Sequence, residues 1–497
     1  MMEALLANLR EFWMVHALLT LYTAMLVHHA WSGNRQTEGL TDFYVGGRGM
    51  SGLVLGLSFF ATYSSTNSFV GFSGQAYTWG LPWMLFVPTA VVFCVFAWTV
   101  VAPRLRSFTE ALDSLTVPDF IGFRFQSDTA RVFAALIVIV ASLFYMVAVF
   151  KGIGNLLEVF MDLPYRLSIG IVFVIVMLYT MVGGFISVVK TDAVQGGVMF
   201  VAAVLMFTGT VDAAGGLGAL AEVREQPGGE KLFQMGGGVA VPVLLGTLFA
   251  GLVKFAVEPR QLSRFYALRD EGATRTGLWV STGTFLVVYS LLIPIGIYAR
   301  RLFPDGLPGA APGAVDTDLV VPTLLTEVFG TGTASFLLVA MVAAAMSSLD
   351  SVLLVTASTT DRDLVGVLRP DRDEAGAMSS TRLWVAVFAA ITAVLALEPP
   401  GGIVTLTAFS GALYGACFVP AILLGLHWQG GNGTSVIASF VAGITVLLGW
   451  ELVPGSEIVH EVFPAVALST LTFVGIAHLT EDAADDRVKA LLAAAGD

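Results

Sequence analysis

The stretch VAAAMSSLDSVLLV, residues 342–355, places Ser347, Ser348, Asp350 and Ser351 inside an apolar run in which Asp350 is the one charged side chain. Residues four apart share one face of a helix, so Ser347 and Ser351 form a compact polar surface together with Asp350. Hydroxyls and a carboxylate are hard oxygen ligands, which suit an alkali or alkaline-earth cation better than a transition metal. The stretch therefore predicts a cation site on a helix.

A structural explanation of the serines stays open at this point. A serine within a helix often donates a hydrogen bond to the carbonyl four residues earlier, and small residues let membrane helices approach each other closely. Neither effect explains a carboxylate. Because an ionisable group inside a membrane span is a functional candidate by default, Asp350 favours the cation site over the packing explanation.

A second polar segment interrupts GLSFFATYSSTNSFVGFSGQAYTWG, residues 56–80, where residues 62–68 read TYSSTNS. Consecutive polar side chains make a poor bilayer helix. If the helix unwinds there, backbone carbonyls become free to bind a cation, and the N-terminus of the next half-helix can hold an anion. A packing surface rich in hydroxyls is the alternative.

A third feature is GGFISVVKTDAVQGGVMF, residues 183–200, which places Lys190 and Asp192 in the first turns of a span. Ionisable groups inside a span are functional candidates by default. An ion pair between Lys190 and Asp192 at the helix end is the alternative. The pattern by itself is compatible with both interpretations.

The composition indicates what kind of protein positions these residues. The chain has 497 residues, of which 56% are hydrophobic and 12% charged, whereas about 25% are charged in soluble domains. Its mean hydropathy is +0.81. We therefore expect an all-α, multi-pass protein of the cell membrane, embedded in the lipid bilayer. A net charge of −12 argues against a nucleic-acid partner, and the lack of nucleophile–base motifs and of a phosphate-binding Gly-Lys-Ser/Thr loop argues against an enzyme or an ATP-driven pump.

Hydropathy and the Gly, Pro and charge punctuation predict thirteen transmembrane helices. The N-terminal segment runs into a full-length span, so we expect a retained first helix rather than a cleaved signal peptide. The predicted spans are 12–31, 52–77, 82–103, 129–158, 166–183, 187–211, 238–262, 276–299, 321–360, 382–397, 402–427, 433–453 and 463–480.

Basic residues cluster in three of the predicted connections, all on the same side of the membrane. These are Arg104, Arg106, Arg124 and Arg131 in one connection, Arg260, Arg264, Arg269 and Arg275 in a second, and Arg362, Arg369, Arg372 and Arg382 in a third. Cytoplasmic loops are enriched in Lys and Arg. We therefore expect the N-terminus outside and the C-terminus in the cytoplasm.

Polar, Gly-interrupted segments early and late in the chain suggest an inverted repeat, whose broken helices form a site at the bilayer midplane. The predicted organisation is a single transmembrane transporter domain over residues 1–497. Its parts are the first helix and its connection (1–51), the first repeat (52–211), the second repeat (238–427), two C-terminal helices (433–480) and a cytoplasmic tail (481–497).

These segments resemble a known family, the sodium/solute symporters that include the proline, pantothenate, acetate, sialic-acid and sodium/glucose carriers. The matching pieces occur in family order over nearly the whole chain: TDFYVGGRGMSG, GFSGQAY, LTVPDFIGFRF, GGFISVVKTDAVQ, EPRQLSRFYALRD and AAAMSSLDS. The resemblance implies thirteen helices in a leucine-transporter-type fold with a five-plus-five inverted repeat. It also implies uptake of a small organic solute, coupled to sodium by alternating access.

The resemblance further implies a main sodium site between the second and ninth spans. Its ligands would be the carbonyls of Ala61, Ser64 and Ala344 and the hydroxyls of Ser347 and Ser348. The sodium ion would thus join the interrupted second span to the polar face of the ninth.

In family members that bind two sodium ions, the aspartate of a TDxxQ motif serves a further cation. That residue is Asp192 here, which would be joined by Ser347 and Ser351. Asp350 stands where some relatives have a hydroxyl and is a further candidate ligand of this second cation site. The number of sodium ions per cycle is therefore open.

The substrate-binding candidates are Ser65, Thr66, Asn67 and Ser68 of the second span, together with Lys254 and Phe255. Lys254 departs from the sugar carriers, which have an aromatic gate near this position. An ammonium group beside the substrate cavity would favour an organic anion. The alternatives are that Lys254 reaches toward the cytoplasmic edge or pairs with Glu258, four residues later on the same helical face.

The sequence thus predicts a secondary active transporter that couples inward sodium movement to uptake of a small organic solute, an organic anion if Lys254 faces the cavity. A proton-coupled symporter, in which Lys190, Asp192 or Asp350 titrates, stays open as an alternative. So does a transport-like sensor that reports solute occupancy to a partner protein. The expected partners are the solute, sodium and the bilayer, with no obligatory protein partner.

Overall fold

The computed structural model describes residues 10–308, 315–480 and 486–494. Within these residues the regular structure is helical, apart from one isolated bridge between Met50 and Leu268. The first helices that concern the site are α1 (Trp13–Gln36), α2 (Gly52–Tyr63) and α3 (Phe72–Trp79).

Later in the described part of the chain, ten helices are long and apolar enough to cross a membrane. They are α4 (Leu81–Ala111), α5 (Asp128–Met161), α6 (Tyr165–Ala214), α7 (Val241–Tyr266), α8 (Glu271–Leu302), α9 (Thr331–Leu368), α10 (Glu374–Ala396), α11 (Ile403–His427), α12 (Gly433–Leu452) and α13 (Val462–Leu479). Within the predicted tail, α14 covers Asp486–Ala494.

Helix α6 is long enough to cross the membrane twice. Its 50 residues would extend for about 75 Å at 1.5 Å per residue, more than twice the bilayer core of about 30 Å. Gly184 divides it, with φ 61° and ψ −172°, and a Cβ at this position would lie 2.7 Å from the Phe43 ring. With α6 counted twice, the ten apolar helices correspond to eleven of the predicted spans, and α1 and the interrupted pair α2–α3 lie at the positions of the other two. The exact number of thirteen crossings stays a prediction.

Two helices are broken near their middles. Helix α2 ends at Tyr63, Ser64 is extended (φ −79°, ψ 103°), and the chain becomes helical again just before α3. The predicted unwinding is thus confirmed just past Tyr63, although Thr62 stays helical. In α7 the break falls at Glu258 (φ −78°, ψ 126°), because a following proline disfavours helical geometry in the residue before it. The residue after Glu258 is Pro259.

Helix α9 forms the centre of the bundle, and its apolar part is almost entirely buried. It packs against α1, α2, α5, α6 and α10. Helix α2 is held on its other sides by α6 and α8, while α7 packs on α11. The polar faces of the two broken helices are therefore enclosed by long helices.

Several predicted boundaries were wrong. The span predicted at 321–360 is a short helix, Val320–Glu327, followed by α9, which begins at Thr331 and runs to Leu368. Helix α10 begins at Glu374, before the predicted 382. A span predicted from hydropathy ends at charged residues. The observed helices continue through such residues because the charged side chains form hydrogen bonds or ion pairs. The repeat boundaries 52–211 and 238–427 stay predictions.

Candidate ion and substrate site

Helices α2 and α9 meet at the predicted main sodium site. The Ser347 hydroxyl donates to the carbonyls of Ala61 (2.9 Å) and Ala344 (2.8 Å). The Ser348 hydroxyl donates to the carbonyl of Thr62 at 2.9 Å. All five residues are fully buried. The structure thus brings four of the five predicted ligand residues together, with Thr62 as an unpredicted neighbour.

The fifth predicted ligand residue, Ser64, is the first residue past the end of α2. Its hydroxyl lies 3.1 Å from the hydroxyl of Tyr289 on α8. A serine hydroxyl that donates one hydrogen bond keeps lone pairs for a cation, and carbonyl and hydroxyl oxygens are the ligands that hard cations prefer. The groups at this junction therefore fit a sodium ion chemically.

At the predicted second cation site, the structure places a guanidinium. Arg264 Nη2 lies 2.7 Å from Asp192 Oδ2 and donates to the Ser351 hydroxyl at 2.7 Å. The Ser58 hydroxyl donates to the same Asp192 oxygen at 2.7 Å. Asp192 and Ser351 are therefore close together, as predicted, but the group that joins them in this structure is the Arg264 guanidinium.

Asp350 lies beside this cluster and is not neutralised by it. Its Oδ1 accepts a hydrogen bond from Ser351 at 3.3 Å. Asp350 Oδ2 and Asp192 Oδ1 are buried and have no hydrogen-bond partner among the described residues. Two carboxylates and one guanidinium give a formal charge of −1, so a cation or a proton is needed for balance.

The alternative of an ion pair between Lys190 and Asp192 is wrong. Lys190 Nζ donates to Gln36 Oε1 on α1 at 2.6 Å, while Asp192 pairs with Arg264. Residues two apart on a helix do not face each other. Lys190 and Asp192 therefore point to different sides of α6.

Lys254 begins the helical turn Lys254–Val257 that precedes the break of α7 at Glu258, and it is 1% exposed. Its Nζ donates to the Thr407 carbonyl of α11 at 3.3 Å and lies 5.4 Å and 5.2 Å from the ring centroids of Tyr63 and Tyr145. Its burial contradicts the alternative that it reaches toward the cytoplasmic edge.

Glu258, the other predicted partner of Lys254, forms an ion pair with Arg260 instead, with 2.6 Å between Oε1 and Nε. Among the described residues, no carboxylate oxygen lies within the 4 Å of an ion pair from Lys254. Lys254 therefore keeps a positive charge without an anionic partner in direct contact.

The predicted substrate-binding hydroxyls surround the break between α2 and α3. The Ser65 hydroxyl accepts a hydrogen bond from the backbone N–H of Asn67 at 3.1 Å, and the Ser68 hydroxyl lies 3.2 Å from the hydroxyl of Tyr289. Thr66 Oγ1 and Asn67 Oδ1 are buried without a hydrogen-bond partner among the described residues. Buried polar atoms of this kind call for a water or a ligand.

Phe255 is fully buried in an aromatic cluster next to this break. Its ring centroid lies 4.4 Å from that of Tyr63 and 4.8 Å from that of Phe285. The cluster gives the site an apolar wall, while Lys254, the preceding residue, supplies the charge.

Two residues of this region were missed because the sequence places them in a cytoplasmic connection. Arg260 and Arg264 are buried, at 1% and 0% exposure, on the helix Pro259–Tyr266, which continues α7 beyond the predicted residue 262. Arg124, assigned to another connection, is also buried and donates to the carbonyls of 425 and 428. The signal available for the first two was their four-residue spacing after a proline, which is typical of a helix start.

Comparison with known proteins agrees with this architecture. The family model described as the sodium:solute symporter family matches residues 43–443. The osmoregulated proline transporter OpuE of Bacillus subtilis is 30% identical over 474 residues, which cover 93% of this chain and 94% of the relative. The sodium/pantothenate symporter of Haemophilus influenzae is 26% identical over 447 residues, covering 88% of this chain and 91% of the relative.

Among solved structures, a Na⁺-coupled sialic acid symporter in a substrate-bound outward-open state matches with a TM-score of 0.81 at 19% identity, covering 94% of this chain and 98% of that one. The nucleobase-cation-symport-1 family transporter Mhp1 in a closed conformation matches with a TM-score of 0.56 at 13% identity, covering 91% and 98%. At such identities the likeness shows the fold, which is the leucine-transporter type with its five-plus-five inverted repeat. With the family match over residues 43–443, the chain belongs to the sodium:solute symporter family, as a multi-pass membrane transporter that couples solute uptake to sodium and not as an enzyme.

Proposed function

We propose that the transported solute is a small organic anion and that its carboxylate pairs with Lys254. The observation that carries this proposal is the buried ammonium of Lys254, one turn before the break of α7, which has no carboxylate within ion-pair distance in the described structure. An uncompensated charge inside a membrane protein is unfavourable. A substrate carboxylate would remove that cost, and the transporter would then bind an anion in preference to a neutral analogue.

The charges around Lys254 support a singly charged substrate. Lys254 and Arg260 contribute two formal positive charges, and Glu258 contributes one negative charge. All three side chains are at most 2% exposed, so water screens them little. The remaining charge of +1 matches one carboxylate. One relative is named for pantothenate, which is itself a carboxylate, and this supports an organic acid as the substrate class.

For the main sodium ion we propose the site at the junction of α2 and α9. Its ligands would be the carbonyls of Ala61, Ser64 and Ala344 and the hydroxyls of Ser347 and Ser348. The hydrogen bonds that join these helices support the proposal, because they already place hard oxygen atoms within a few ångströms of each other.

For a second cation we propose Asp192, Asp350 and Ser351 as ligands, in a state in which Arg264 has moved away from Asp192. The two unpartnered carboxylate oxygens support this assignment. The formal charge of −1 in the cluster supports it as well, because a cation would be attracted there even while Arg264 stays in place.

In the transport cycle we propose, sodium binds from the outside and stabilises the state that accepts the solute. The cavity between the two broken helices then closes around both and opens inward. The proposed orientation, with the N-terminus outside and the C-terminus in the cytoplasm, follows the distribution of Lys and Arg. Inward movement of sodium down its gradient supplies the free energy for uptake.

The experiment that tests the substrate class is uptake by proteoliposomes under an imposed sodium gradient at fixed pH. The solutes compared are short monocarboxylates, pantothenate, sialic acid, proline and neutral sugars. We expect sodium-dependent uptake of a carboxylic acid that carries no positively charged group. We expect Lys254→Gln to abolish this uptake, whereas Lys190→Gln, the matched control on α6, keeps it.

Two results would contradict the proposal. One is uptake of a neutral sugar in preference to every acid. The other is uptake of an acid at the wild-type rate by Lys254→Gln. Uptake that follows a pH gradient and ignores sodium would replace sodium coupling by proton coupling.

A further inference from the structure

We propose that the ion pair of Glu258 and Arg260 couples the main sodium site to Lys254, so that sodium decides whether Lys254 is free to bind the substrate. This inference rests on the proposed function, because it needs a sodium ligand at Ser348 and a substrate carboxylate at Lys254. Its physical basis is that Glu258 follows one buried cation by four residues and precedes another by two, and that it can neutralise only one of them.

The Thr62 carbonyl is the link on the sodium side. It accepts hydrogen bonds from the Ser348 hydroxyl at 2.9 Å and from Arg260 Nη1 at 2.7 Å. A carbonyl oxygen has two lone pairs, so both donors bind at once. Thr62 also follows the proposed ligand Ala61 directly. A sodium ion held by Ala61 and Ser348 therefore fixes the acceptor on which the guanidinium rests.

Glu258 is the link on the substrate side. Its Oε1 pairs with Arg260 Nε at 2.6 Å, and its Oε2 has no hydrogen-bond partner in the described structure. The Glu258 amide donates to the Lys254 carbonyl at 2.9 Å, so the two side chains leave the chain one helical turn apart. The carboxylate therefore has a second cation within reach.

The ring of Tyr145 on α5 brings the two cations side by side. Arg260 Cζ lies 3.8 Å from its centroid and Lys254 Nζ lies 5.2 Å from the same centroid. Because the groups are buried, charge interactions between them are much stronger than in water. In this proposal Glu258 changes partner by a rotation of its side chain, and burial makes the electrostatic effect of that change large.

Two states follow from this arrangement. With sodium bound, Thr62 holds Arg260, Arg260 holds Glu258, and Lys254 is left for the substrate anion. Without sodium, α2 and α9 are no longer joined by the ion and Arg260 loses a fixed acceptor. Glu258 then turns to Lys254 and pairs with it, so Lys254 is no longer available to a substrate carboxylate, while the formal charge of the cluster stays +1. By thermodynamic linkage, sodium and the anion must alter each other's affinity by the same factor, so the change of partner by Glu258 also affects the binding of sodium alone.

This reciprocity allows a test that needs no substrate. Binding of radiolabelled sodium to the purified, full-length transporter is measured at constant ionic strength, with choline replacing sodium. Lys254→Gln removes the competitor for Glu258 and should raise sodium affinity about fivefold or more, the lower range of coupling between linked sites. In a Glu258→Gln background the same change should alter affinity by less than about twofold, since the link is absent.

Arg260→Gln provides a second background in which the link is broken, and Lys254→Gln should again have less than about a twofold effect there. This background decides the question if Glu258→Gln does not fold. Lys190→Gln is the matched control and should leave sodium affinity unchanged in every background. An equal effect of Lys254→Gln in wild type and in both backgrounds, or no effect in any, overturns the coupling.

The result is separable from that of the proposed function. Loss of sodium binding in Ser347→Ala supports the main sodium site whatever happens at Lys254. Uptake of a neutral solute would refute the organic anion as substrate. The sodium affinities of the single and double variants of Lys254, Glu258 and Arg260 would still decide whether the coupling exists. If Lys254→Gln abolishes anion uptake but changes sodium affinity equally in all backgrounds, or in none, only the coupling is rejected.

Discussion

Replacing Ser347 by alanine tests the main sodium site most directly. The Ser347 hydroxyl joins the carbonyls of Ala61 and Ala344 at 2.9 Å and 2.8 Å, and the residue is fully buried. Alanine removes one hard oxygen and leaves two buried carbonyls with fewer partners. Loss of such a contact costs about 1 to 3 kcal/mol, which corresponds to roughly five- to 150-fold weaker sodium binding.

The assay is equilibrium binding of radiolabelled sodium to purified protein at constant ionic strength. Ser335→Ala is a matched control on the same helix, because Ser335 is 1% exposed and its hydroxyl donates to the Thr331 carbonyl one turn earlier at 2.6 Å. We expect sodium affinity to fall in Ser347→Ala and to stay within about twofold of wild type in Ser335→Ala.

Two outcomes would refute the reasoning. Wild-type sodium affinity in Ser347→Ala would show that the serine only joins α2 to α9. An equal loss of affinity in both variants would show that any buried serine of α9 matters, through packing and not through ligation. A loss confined to Ser347→Ala, with an unchanged melting temperature, is the result that the site requires.

Asp192→Asn should remove one bound sodium ion per transporter at saturation, because the amide offers less to a cation. It also breaks the buried pair with Arg264, which costs about 3 to 5 kcal/mol of stability. The melting temperature is therefore measured as well. An unchanged number of bound sodium ions in folded Asp192→Asn protein rejects the second site. Gly296→Ala should prevent folding, because its Cβ would lie 1.7 Å from the Ser73 carbonyl, whereas Gly283→Ala on the same helix meets no atom within 4 Å and should give a normal yield of monodisperse protein.

The meeting of α2 and α9 at the proposed ion site was predictable because its residues contrast with their surroundings. A carboxylate and three hydroxyls within the apolar α9 are visible in the sequence, and so is the polar interruption after α2. The division of α6 at Gly184 was also predictable, since adjacent glycines punctuate a long apolar stretch. In each case the signal lies within about one helix, where hydropathy and local chain geometry act.

The buried arginines were not predictable for the opposite reason. Arg264 is buried because it meets Asp192, 72 residues away, and Arg260 because it meets the Thr62 carbonyl, 198 residues away. A hydropathy profile treats an arginine as the end of a span, since it counts the cost of burial and not the partner that offsets it. The predicted span ended at 262, and only the tertiary structure shows that α7 continues through Arg264 and that both side chains are buried.

The charges of the two buried clusters connect ion number to membrane current. The cluster of Asp192, Asp350 and Arg264 has a formal charge of −1, and that of Lys254, Glu258 and Arg260 has +1, so the empty site is balanced as a whole. One sodium ion and one carboxylate keep the loaded site neutral, and uptake then moves no net charge. A second sodium ion at Asp350 satisfies the negative cluster locally but adds one charge to the loaded site. Inward current that accompanies anion uptake, lost in Asp350→Asn, therefore follows from a second ion and is incompatible with one.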